Sequence, residues 1–407
     1  MVSTQSQEQI NPGQSTWEMY RSLLFSVYLP SLLMSICQGS VMLIIPLFAL
    51  QMDANIGITA LVFSLRGLGN MTVDVPAGYA TARFGDRSIM IVGVALMATT
   101  ALFTSQADSP LQLAIAAFAF GAAMATWLLA RLAHISEKVA SHQRGKAIST
   151  MAGIQRFGNL VGPVTSGLIA HKFGFGYVFL CIGFIGLAAL LLVLVTVKDN
   201  QKAHHEQGPG LFKLVPHIVS GHYRIFATAG LAVLCLTVLR SSRQLLIPLW
   251  GQSINLDSAT IGLAVSSAAA IDMLMFPLAG YMMDNLGRRY AAISCLLIQA
   301  LGIFLIPFSS GFTGLVLAAM VAGAGNGLGS GINMTLGADF APPAERGEFL
   351  GVWRLMSDAG SFAGPIFLGY VATSVALASA FTAVSTMGIL GAAIMLLFVK
   401  ETLLKKK

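Results

Sequence analysis

The sequence predicts an all-α membrane protein whose twelve transmembrane helices form two pseudo-symmetric six-helix bundles. Hydrophobic residues make up 56% of the 407 residues and charged residues only 10%, whereas soluble globular proteins carry about 25% charged residues. Uncharged runs such as 179–197 and 378–399 are long enough for a helix to cross roughly 30 Å of hydrocarbon. An internal repeat with an offset of 202 residues, which superimposes Gly78 on Gly280, predicts the two halves.

The apolar runs place the spans in order along the chain. Spans 1 to 6 are predicted at 22–50, 57–81, 88–104, 111–135, 146–170 and 175–197, and spans 7 to 12 at 224–250, 259–282, 288–308, 313–337, 348–373 and 377–399. Residues 1–21 lack the basic start of a signal peptide, so we expect the first run to be retained. A polar stretch at 198–223 interrupts the apolar runs and is predicted to be a linker. It divides the chain into bundles 22–197 and 224–399, and a tail follows at 400–407.

Basic residues are concentrated in alternate loops. One set of loops contains Arg83, Arg87, Lys138, Arg144, Lys198, Lys202, Lys213, Arg288, Arg289, Arg346 and Lys405 to Lys407, whereas the opposite set contains only Lys172. By the positive-inside rule, both termini and the linker are predicted to be cytoplasmic, in the inner or plasma membrane. This asymmetry accounts for the net charge of +7, so no nucleic-acid partner is expected.

The repeat is clearest in a polar turn that follows span 8. The sequence GYMMDNLGRR at 280–289 has an imperfect copy, GYATARFGDR, at 78–87 after span 2. The copies differ where Ala82 replaces an aspartate and Asp86 replaces an arginine. The residues that define this turn are Gly78, Gly85, Arg87, Gly280, Asp284, Gly287, Arg288 and Arg289. Two equivalent membrane halves predict a substrate site at their interface, near the middle of the membrane.

The turn at 280–289 matches the G-x-x-x-D-x-x-G-R-R/K signature of the major facilitator superfamily, and residues 22–399 resemble its twelve-helix members. The resemblance implies that this turn takes part in gating between the halves. In the first copy, Ala82 stands at the position of the signature's aspartate. A gate at this turn would therefore need Asp86 to supply the missing carboxylate. A second superfamily signature, an arginine in span 4, is absent because Ala117 occupies its place before Gly121.

Span 5 is similar to the signature of the superfamily's drug or metabolite:proton antiporters. It reads Gly158-x-x-x-Gly162-Pro163-x-x-Ser166-Gly167, with Ile154 in place of an earlier glycine. Span 11 repeats the core of this pattern with Gly360, Gly364 and Pro365. Because small residues at this spacing let helices approach closely, a packing role is an equal alternative to a role in antiport. The glycine-rich stretch 323–331 is predicted to be a flexible, closely packed membrane helix.

Ionisable residues at depth in a membrane usually face a cavity or a partner. Arg156 on span 5 and Asp272 on span 8 both lie roughly 15 Å from the basic loops, and the resemblance makes these spans neighbours. We predict that they pair, and that the pair breaks and re-forms during transport. Asp74 and Arg354 are predicted to form an inner gate at a shallower level. For both pairs, a permanent structural ion pair is the alternative. The other buried charges are Arg66, Arg131, Arg240, Arg243 and Asp358.

Proton coupling requires a group that changes its charge, and arginine does not. The candidates are therefore Asp272, Asp358 and Asp74, of which Asp272 is favoured because it lies deepest. Since buried arginines outnumber aspartates by six to three, the cavity is predicted to attract an anionic solute. Predicted substrate contacts are Arg240, Arg243 and Gln244, followed by Gln38, Trp127, Gln155, Asn326 and Trp353. For the tryptophan and glutamine residues, ordinary helix packing is the alternative.

These features predict a secondary active transporter that moves a small organic solute by alternating access, coupled to protons and directed outward. Uptake of an organic anion by symport or facilitated diffusion is the first alternative, and a non-transporting receptor or scaffold is the second. The sequence contains no nucleophile–base arrangement, metal-ligand spacing or phosphate-binding glycine loop. We therefore expect no enzyme activity, cofactor or metal. The expected partners are the solute, protons and the lipid bilayer, and the protein is expected to be monomeric.

Overall fold

The computed structural model describes residues 16–197 and 211–403. These residues form twelve long helices: α1 Thr16–Gln51, α2 Ile56–Phe84, α3 Asp86–Thr104, α4 Pro110–Lys138, α5 Ser141–Phe173, α6 Phe175–Thr196, α7 Tyr223–Ser253, α8 Ser258–Leu286, α9 Arg288–Phe308, α10 Phe312–Phe340, α11 Arg346–Ser374 and α12 Leu377–Phe398. Within these ranges no strand is present. The predicted tails and linker lie partly outside the described residues, at 1–15, 198–210 and 404–407.

Ten of the described helices are long and apolar enough to cross a membrane. The exceptions are α5 and α11, which contain the charged residues Arg156, Arg354 and Asp358 within their membrane spans. Both helices are as long as their neighbours, with 33 and 29 residues, and both pack among the other spans. Helices of this kind lie inside a bundle, because their charged residues face protein or a cavity rather than lipid.

The repeat is visible in the turns between helices. Gly85 before α3 and Gly287 before α9 are equivalent in the repeat, and both have a positive φ, of 84° and 121°. This conformation is strained for other residues, which explains why both copies have glycine there. The helices α2 and α8 begin at equivalent caps, where Asn55 accepts a hydrogen bond from Ile58 N at 2.8 Å and Asp257 accepts one from Thr260 N at 2.9 Å.

The helices α1–α6 pack together, as do α7–α12, and the two groups meet mainly along α2–α11 and α5–α8. Glycines allow these contacts to be close. A side chain added at Gly67 of α2 would lie 3.1 Å from the backbone of Phe362 on α11. On the other contact, Ser266 of α8 donates a hydrogen bond to the carbonyl oxygen of Leu160 on α5, at 2.7 Å. These two contacts are related by the internal repeat.

The two ends of the bundle differ in how closely the halves approach. We call the end that carries the turns at 82–87 and 284–289 the basic end. At the opposite end the halves touch, since a side chain added at Gly57 would lie 3.1 Å from Thr373. Near the basic end, a side chain added at Gly78, Gly145, Gly280 or Gly347 would meet no atom within 4 Å. The halves therefore touch at the opposite end, whereas these four helical glycines of the basic end face open space.

The structure differs from the sequence-based expectation in α10. This helix consists of Phe312–Leu328 and Ile332–Phe340, separated at Gly329-Ser330-Gly331. Gly331 has a φ of 82°, which an α-helix does not allow. The predicted span over 313–337 is therefore interrupted at 329–331, a break that the sequence analysis did not locate. Small residues that permit close packing also permit the backbone to leave the helical conformation. The linker likewise contains a short helix, Leu211–Gly221, that the polar composition did not predict.

Candidate functional site

A polar cavity of about 360 Å³ lies between the halves, enclosed by α1, α5, α7, α8 and α10. Its position at the interface of two equivalent bundles is where transporters of this architecture bind their substrates. Of the predicted substrate contacts, all but the two tryptophans line it. The polar lining residues are Gln38, Gln155, Arg156, Asn159, Arg240, Arg243, Gln244, Asp272, Asn326 and Ser330.

An ion pair between the halves forms one wall of the cavity. Arg156 Nη1 of α5 lies 2.8 Å from Asp272 Oδ1 of α8, as the matching depths of the two residues predicted. The other carboxylate oxygen, Asp272 Oδ2, accepts a hydrogen bond from Asn326 Nδ2 at 2.9 Å. Arg156 Nη2 donates to Ser330 Oγ at 2.7 Å, and its guanidinium lies over the ring of Phe276, 4.8 Å from the centroid. Both oxygens of Asp272 are therefore occupied, and the pair joins α5, α8 and α10.

The break in α10 lies at this wall. Arg240 Nη2 of α7 donates to the carbonyl oxygen of Gly329 at 2.7 Å, which also accepts a hydrogen bond from the backbone N–H of Ile332 at 3.2 Å. Ser330, the next residue, receives the hydrogen bond from Arg156 described above. Interrupted membrane helices with backbone groups exposed to a cavity are typical of substrate and ion sites. The sequence signal for this feature was the glycine-rich stretch, which we interpreted as packing.

The cavity carries a surplus of positive charge. Arg243 lines it and is 9% exposed, yet no carboxylate or hydrogen-bond acceptor contacts its guanidinium within the described parts of the chain. Arg240 contacts a carbonyl rather than an acid. The cavity wall therefore holds three arginines and one aspartate. Arg66 of α2 is a further arginine close to the cavity. Its Nη2 lies 3.5 Å from Oε1 of the lining residue Gln244 on α7, at the limit of a hydrogen bond between the halves.

A second charged cluster lies nearer the basic end, on the contact between α2 and α11. Arg354 Nη2 is 2.9 Å from Asp74 Oδ1, and Arg354 Nε is 3.7 Å from Asp358 Oδ2. The two carboxylates are mostly buried, with side chains 14% and 25% exposed, whereas the arginine is 44% exposed. Two carboxylates around one guanidinium give this cluster a net charge of −1 when both are ionised, opposite in sign to the cavity. We call it the α2–α11 cluster.

The turn of the second half is held by acids of its own half. Arg288 contacts Asp339 Oδ2 of α10 through Nε at 3.3 Å, and its Nη2 lies 3.9 Å from Asp284 Oδ1 of the same turn. Glu401 accepts hydrogen bonds from the backbone N–H groups of Arg288 and Arg289, at 2.8 and 3.1 Å. Sequence reasoning missed Asp339 and Glu401, because each is an ordinary acid near a helix end.

The turn of the first half uses a different pair. Asp86 accepts a hydrogen bond from the backbone N–H of Arg87 at 2.8 Å, and its other oxygen contacts Nδ1 of the buried His134 on α4. Arg87 Nη2 donates to the carbonyl oxygen of Leu194 on α6, at 3.1 Å. Asp86 is thus hydrogen-bonded within its own half. The contacts of Asp86 with His134 and of Arg288 with Asp339 both lie inside their own bundles.

Two predicted substrate contacts lie outside the cavity. Trp127 is completely buried in α4, with Arg131 over its ring at 5.7 Å from the centroid. Trp353 of α11 donates its indole N–H to Asn333 Oδ1 at 2.8 Å and stacks on Phe349. A large aromatic ring at the depth of the cavity can instead pack between helices. The depth of a tryptophan in the membrane therefore does not by itself place its ring in the cavity. We withdraw both residues from the candidate site.

The glycine motifs of α5 and α11 lie against the first helix of their own half. A side chain added at Gly162 would lie 2.6 Å from the carbonyl oxygen of Ile36 on α1, and one at Gly364 would lie 2.6 Å from Ser241 Oγ on α7. Equivalent overlaps occur at Gly158 and Gly360, and Pro163 and Pro365 lie within the same helices. Since the motif makes equivalent contacts in both halves, these glycines serve close helix packing.

Comparison with known proteins identifies the family. The family model described as Major Facilitator Superfamily matches residues 27–246 and 229–407. The chain belongs to this superfamily. It is 27% identical over 313 residues to the uncharacterized MFS-type transporter YuxJ of Bacillus subtilis (strain 168), an alignment that covers 74% of this chain and 78% of the relative. It is 24% identical over 320 residues to the multidrug resistance protein MdtH of Aeromonas salmonicida (strain A449), covering 76% and 77% of the two chains.

The fold has close counterparts among solved superfamily structures. The crystal structure of a POT family transporter in complex with a thioalcohol-conjugated peptide superimposes with a TM-score of 0.78 and 12% sequence identity, over 93% of this chain and 96% of that one. This likeness shows the fold alone. Together with the family match, it makes this superfamily member a multi-pass, all-α integral membrane protein and a secondary transporter of a small solute.

Proposed function

We propose that this transporter exports a small organic anion by alternating access, in exchange for protons. The observation that carries the proposal is the unpaired guanidinium of Arg243 in a cavity with three arginines and one aspartate. A buried cation without a partner is costly, and an anionic substrate removes that cost. A carboxylate, sulfonate or phosphate group fits best, because arginine binds such groups through two parallel hydrogen bonds. The name of the relative MdtH, a multidrug resistance protein, supports outward transport.

We propose the α2–α11 cluster, rather than Asp272, as the site that carries the proton. Asp272 already accepts hydrogen bonds from Arg156 and Asn326, and its neutralisation would leave three arginines without a counter-charge. In the α2–α11 cluster, one proton bound by Asp74 or Asp358 gives a neutral site. The same proton weakens the contact of Arg354 with α2, and this contact joins the two halves. Proton binding and movement of the halves are thereby linked.

Arg156–Asp272 is proposed as the contact that responds to substrate. An anion bound to Arg243 also competes with Asp272 for Arg156, since both guanidinium groups line the same cavity. Loss of the pair would separate α5 from α8 and release the contact of Arg156 with Ser330 on α10. A permanent ion pair, the alternative to this role, predicts that substrate does not change the distance between α5 and α8.

The orientation that we propose follows from the basic residues, which place the basic end in the cytoplasm. Because the halves touch at the opposite end, at Gly57 and Thr373, we propose that this conformation loads an exported solute from the inside. Proton-coupled uptake of the same anion is the competing function, because a cation-rich cavity serves either direction. The glycine motif of α5 does not favour antiport, since α11 makes the same contacts.

Flux in proteoliposomes with an imposed pH gradient tests these alternatives. With a panel of radiolabelled organic anions and matched cations, exchange would accumulate an anion on the acidic side, symport would accumulate it on the alkaline side, and a facilitator would only equalise it. Asp74→Asn and Asp358→Asn should abolish accumulation driven by the gradient while preserving exchange of anion for anion. Asp339→Asn, a change at the basic end outside this cluster, is the matched control. Full gradient-driven accumulation by Asp74→Asn and Asp358→Asn would contradict the proton assignment.

A further inference from the structure

A second cavity, of about 450 Å³, opens between α1, α5 and α8. We call it the lateral groove. Its lining is almost entirely apolar and includes Leu24, Leu32, Phe157 and Met273. Leu24 and Phe157 are 46% and 48% exposed, as expected for side chains on the membrane-facing surface. On α5, the groove and the central cavity use different faces of the helix, so the groove is separate from the proposed substrate site.

Two cations precede the groove-lining residues of α1 and α5 on the side of the basic end. Arg21 lies three residues before Leu24 on α1, and Lys146 lies four residues before Thr150 on α5. Residues at these spacings share a face of their helix. Both cations are exposed, and neither has an acidic or hydrogen-bonding partner among residues 16–197 and 211–403. The groove therefore continues from an apolar interior to two unpaired positive charges.

One polar atom in the groove also lacks a partner. Tyr28 lines the groove and is 5% exposed, and its hydroxyl oxygen is buried with no hydrogen-bond partner in the described structure. Buried hydroxyl groups are usually satisfied, because an unmade hydrogen bond costs the full desolvation of the group. Tyr28 lies seven residues, about two helical turns, beyond Arg21 on α1.

We propose that the lateral groove is a binding site for an anionic phospholipid. One acyl chain occupies the apolar groove, the phosphate lies between Arg21 and Lys146, and an ester oxygen accepts a hydrogen bond from the Tyr28 hydroxyl. A lipid is the occupant that this geometry favours, because an acyl chain and a phosphate occur together at this depth of the bilayer. Anionic lipids are attracted to clustered basic residues beside membrane helices. The bound lipid would link α1 and α5 of the first half to α8 of the second.

Native mass spectrometry of the full-length protein in detergent, titrated with lipid, tests the headgroup. Phosphatidylglycerol and phosphatidylcholine with identical acyl chains should bind with affinities that differ roughly thirtyfold, which corresponds to ~1 kcal/mol for each of two basic side chains. The double substitution Arg21→Gln and Lys146→Gln should abolish this preference. Arg83→Gln with Arg346→Gln, which removes two other exposed arginines of the basic end, should preserve it.

Two further variants test the groove itself. Gly153→Phe adds a side chain into the open space of the groove and should weaken binding of both lipids at least tenfold. Gly347→Phe, at a helical glycine of α11 with equally open surroundings, should not. Tyr28→Phe should weaken binding about fivefold, the fold-change for one hydrogen bond of ~1 kcal/mol.

The outcomes separate the lipid from other occupants. Equal affinities for the two lipids, or a preference that survives the double substitution, would overturn the proposal. If a transported anion displaces both lipids from the groove and Gly153→Phe blocks its binding, the groove holds an apolar part of the substrate instead. Because the readout is lipid binding rather than flux, failure of the transport proposal would leave this test unaffected.

Discussion

The contacts α5–α8 and α11–α2 are related by the internal repeat, yet they carry opposite charge. Arg156 on α5 and Asp358 on α11 occupy equivalent positions, as do Phe276 on α8 and Asp74 on α2. The first contact joins an arginine to Asp272 in a cavity rich in arginine, and the second places two carboxylates around Arg354. The same backbone arrangement thus supplies one site suited to an anion and one suited to a proton.

A similar difference separates α4 from α10. Gly329 is equivalent to Trp127 of α4, which is fully buried in a continuous helix. Where α4 packs a large ring, α10 has small residues, and its backbone leaves the helix and contacts Arg240. The second half therefore supplies most of the charged cavity, while the first half supplies Arg156 and the amides of Gln38 and Gln155. Duplication explains the shared architecture, and side-chain size and charge explain the division of roles.

Removal of the carboxylate from the α5–α8 contact should have the largest effect. Asp272→Asn leaves Arg156, Arg240 and Arg243 without an acid, and removal of one partner of a buried pair costs about 3 kcal/mol. We expect a lower unfolding temperature in detergent and loss of transport. Asp284→Asn, on the same helix and 75% exposed, is the matched control and should change stability by less than about 0.5 kcal/mol. Equal stability of the two variants would show that the pair is unimportant.

A charge swap examines whether this contact is an ion pair or two independent groups. Arg156→Asp with Asp272→Arg should recover part of the stability lost in each single variant, because the opposite charges again meet across the α5–α8 contact. Thermal unfolding of the four proteins in a double-mutant cycle measures the coupling. A coupling energy near zero would mean that the two side chains act separately.

Removal of the Arg243 guanidinium should lower the affinity for substrate but raise the stability of the unliganded protein. Arg243→Gln removes a charge-assisted hydrogen bond to the substrate, worth about 2 kcal/mol or roughly thirtyfold in affinity. It also removes a buried charge without a partner, so the unliganded protein should become more stable. Calorimetric titration with the transported anion and thermal unfolding provide the two measurements. A variant that loses stability with unchanged affinity would place Arg243 in packing rather than in recognition.

In the α2–α11 cluster a smaller change in stability is expected, because Arg354 is 44% exposed. Asp74→Asn should lower the free energy of unfolding by about 1 kcal/mol or less and make transport insensitive to the pH gradient. Arg354→Gln should weaken the same contact between the halves while keeping both carboxylates available for a proton. If these two variants respond identically to the pH gradient, the cluster acts only as a gate.

The smallest effect is expected at the two equivalent helix caps. The backbone N–H of Thr260 lowers the pKa of the Asp257 carboxyl, so the stabilisation is present above the unfolded-state pKa of about 3.9 and is lost as the pH falls through the folded-state value. Asp257→Ala should therefore cost about 1 kcal/mol at pH 7 and less in acid. Asn55→Ala, at the cap that does not titrate, should show a pH-independent loss. Thermal unfolding of both variants and the unsubstituted protein, at pH 7 and in acid, distinguishes these outcomes.

Much of the architecture was readable from the chain alone, because its determinants are local or periodic. Uncharged runs of span length predict membrane helices, and a constant offset in glycine, proline and arginine predicts two halves. The pairing of Arg156 with Asp272 followed from depth along two helices, since each residue adds a known rise. Packing of Gly162 and Gly364 against the first helix of each half likewise agrees with their spacing.

Tertiary structure alone decided which polar side chains share a cavity and which fill space between helices. Depth does not specify direction around a helix axis, so Trp127 was placed with the substrate although it lies in packing. Three features depend on contacts between distant segments: the approach of Asp358 to Arg354, the backbone break beside Arg240, and the lack of a direct hydrogen-bond or ion-pair contact for the Arg243 guanidinium among the described residues. The sequence thus determined the number, order and duplication of the helices. The packing of helix faces determined where positive and negative side chains do not balance, because charge balance depends on which residues are neighbours in space.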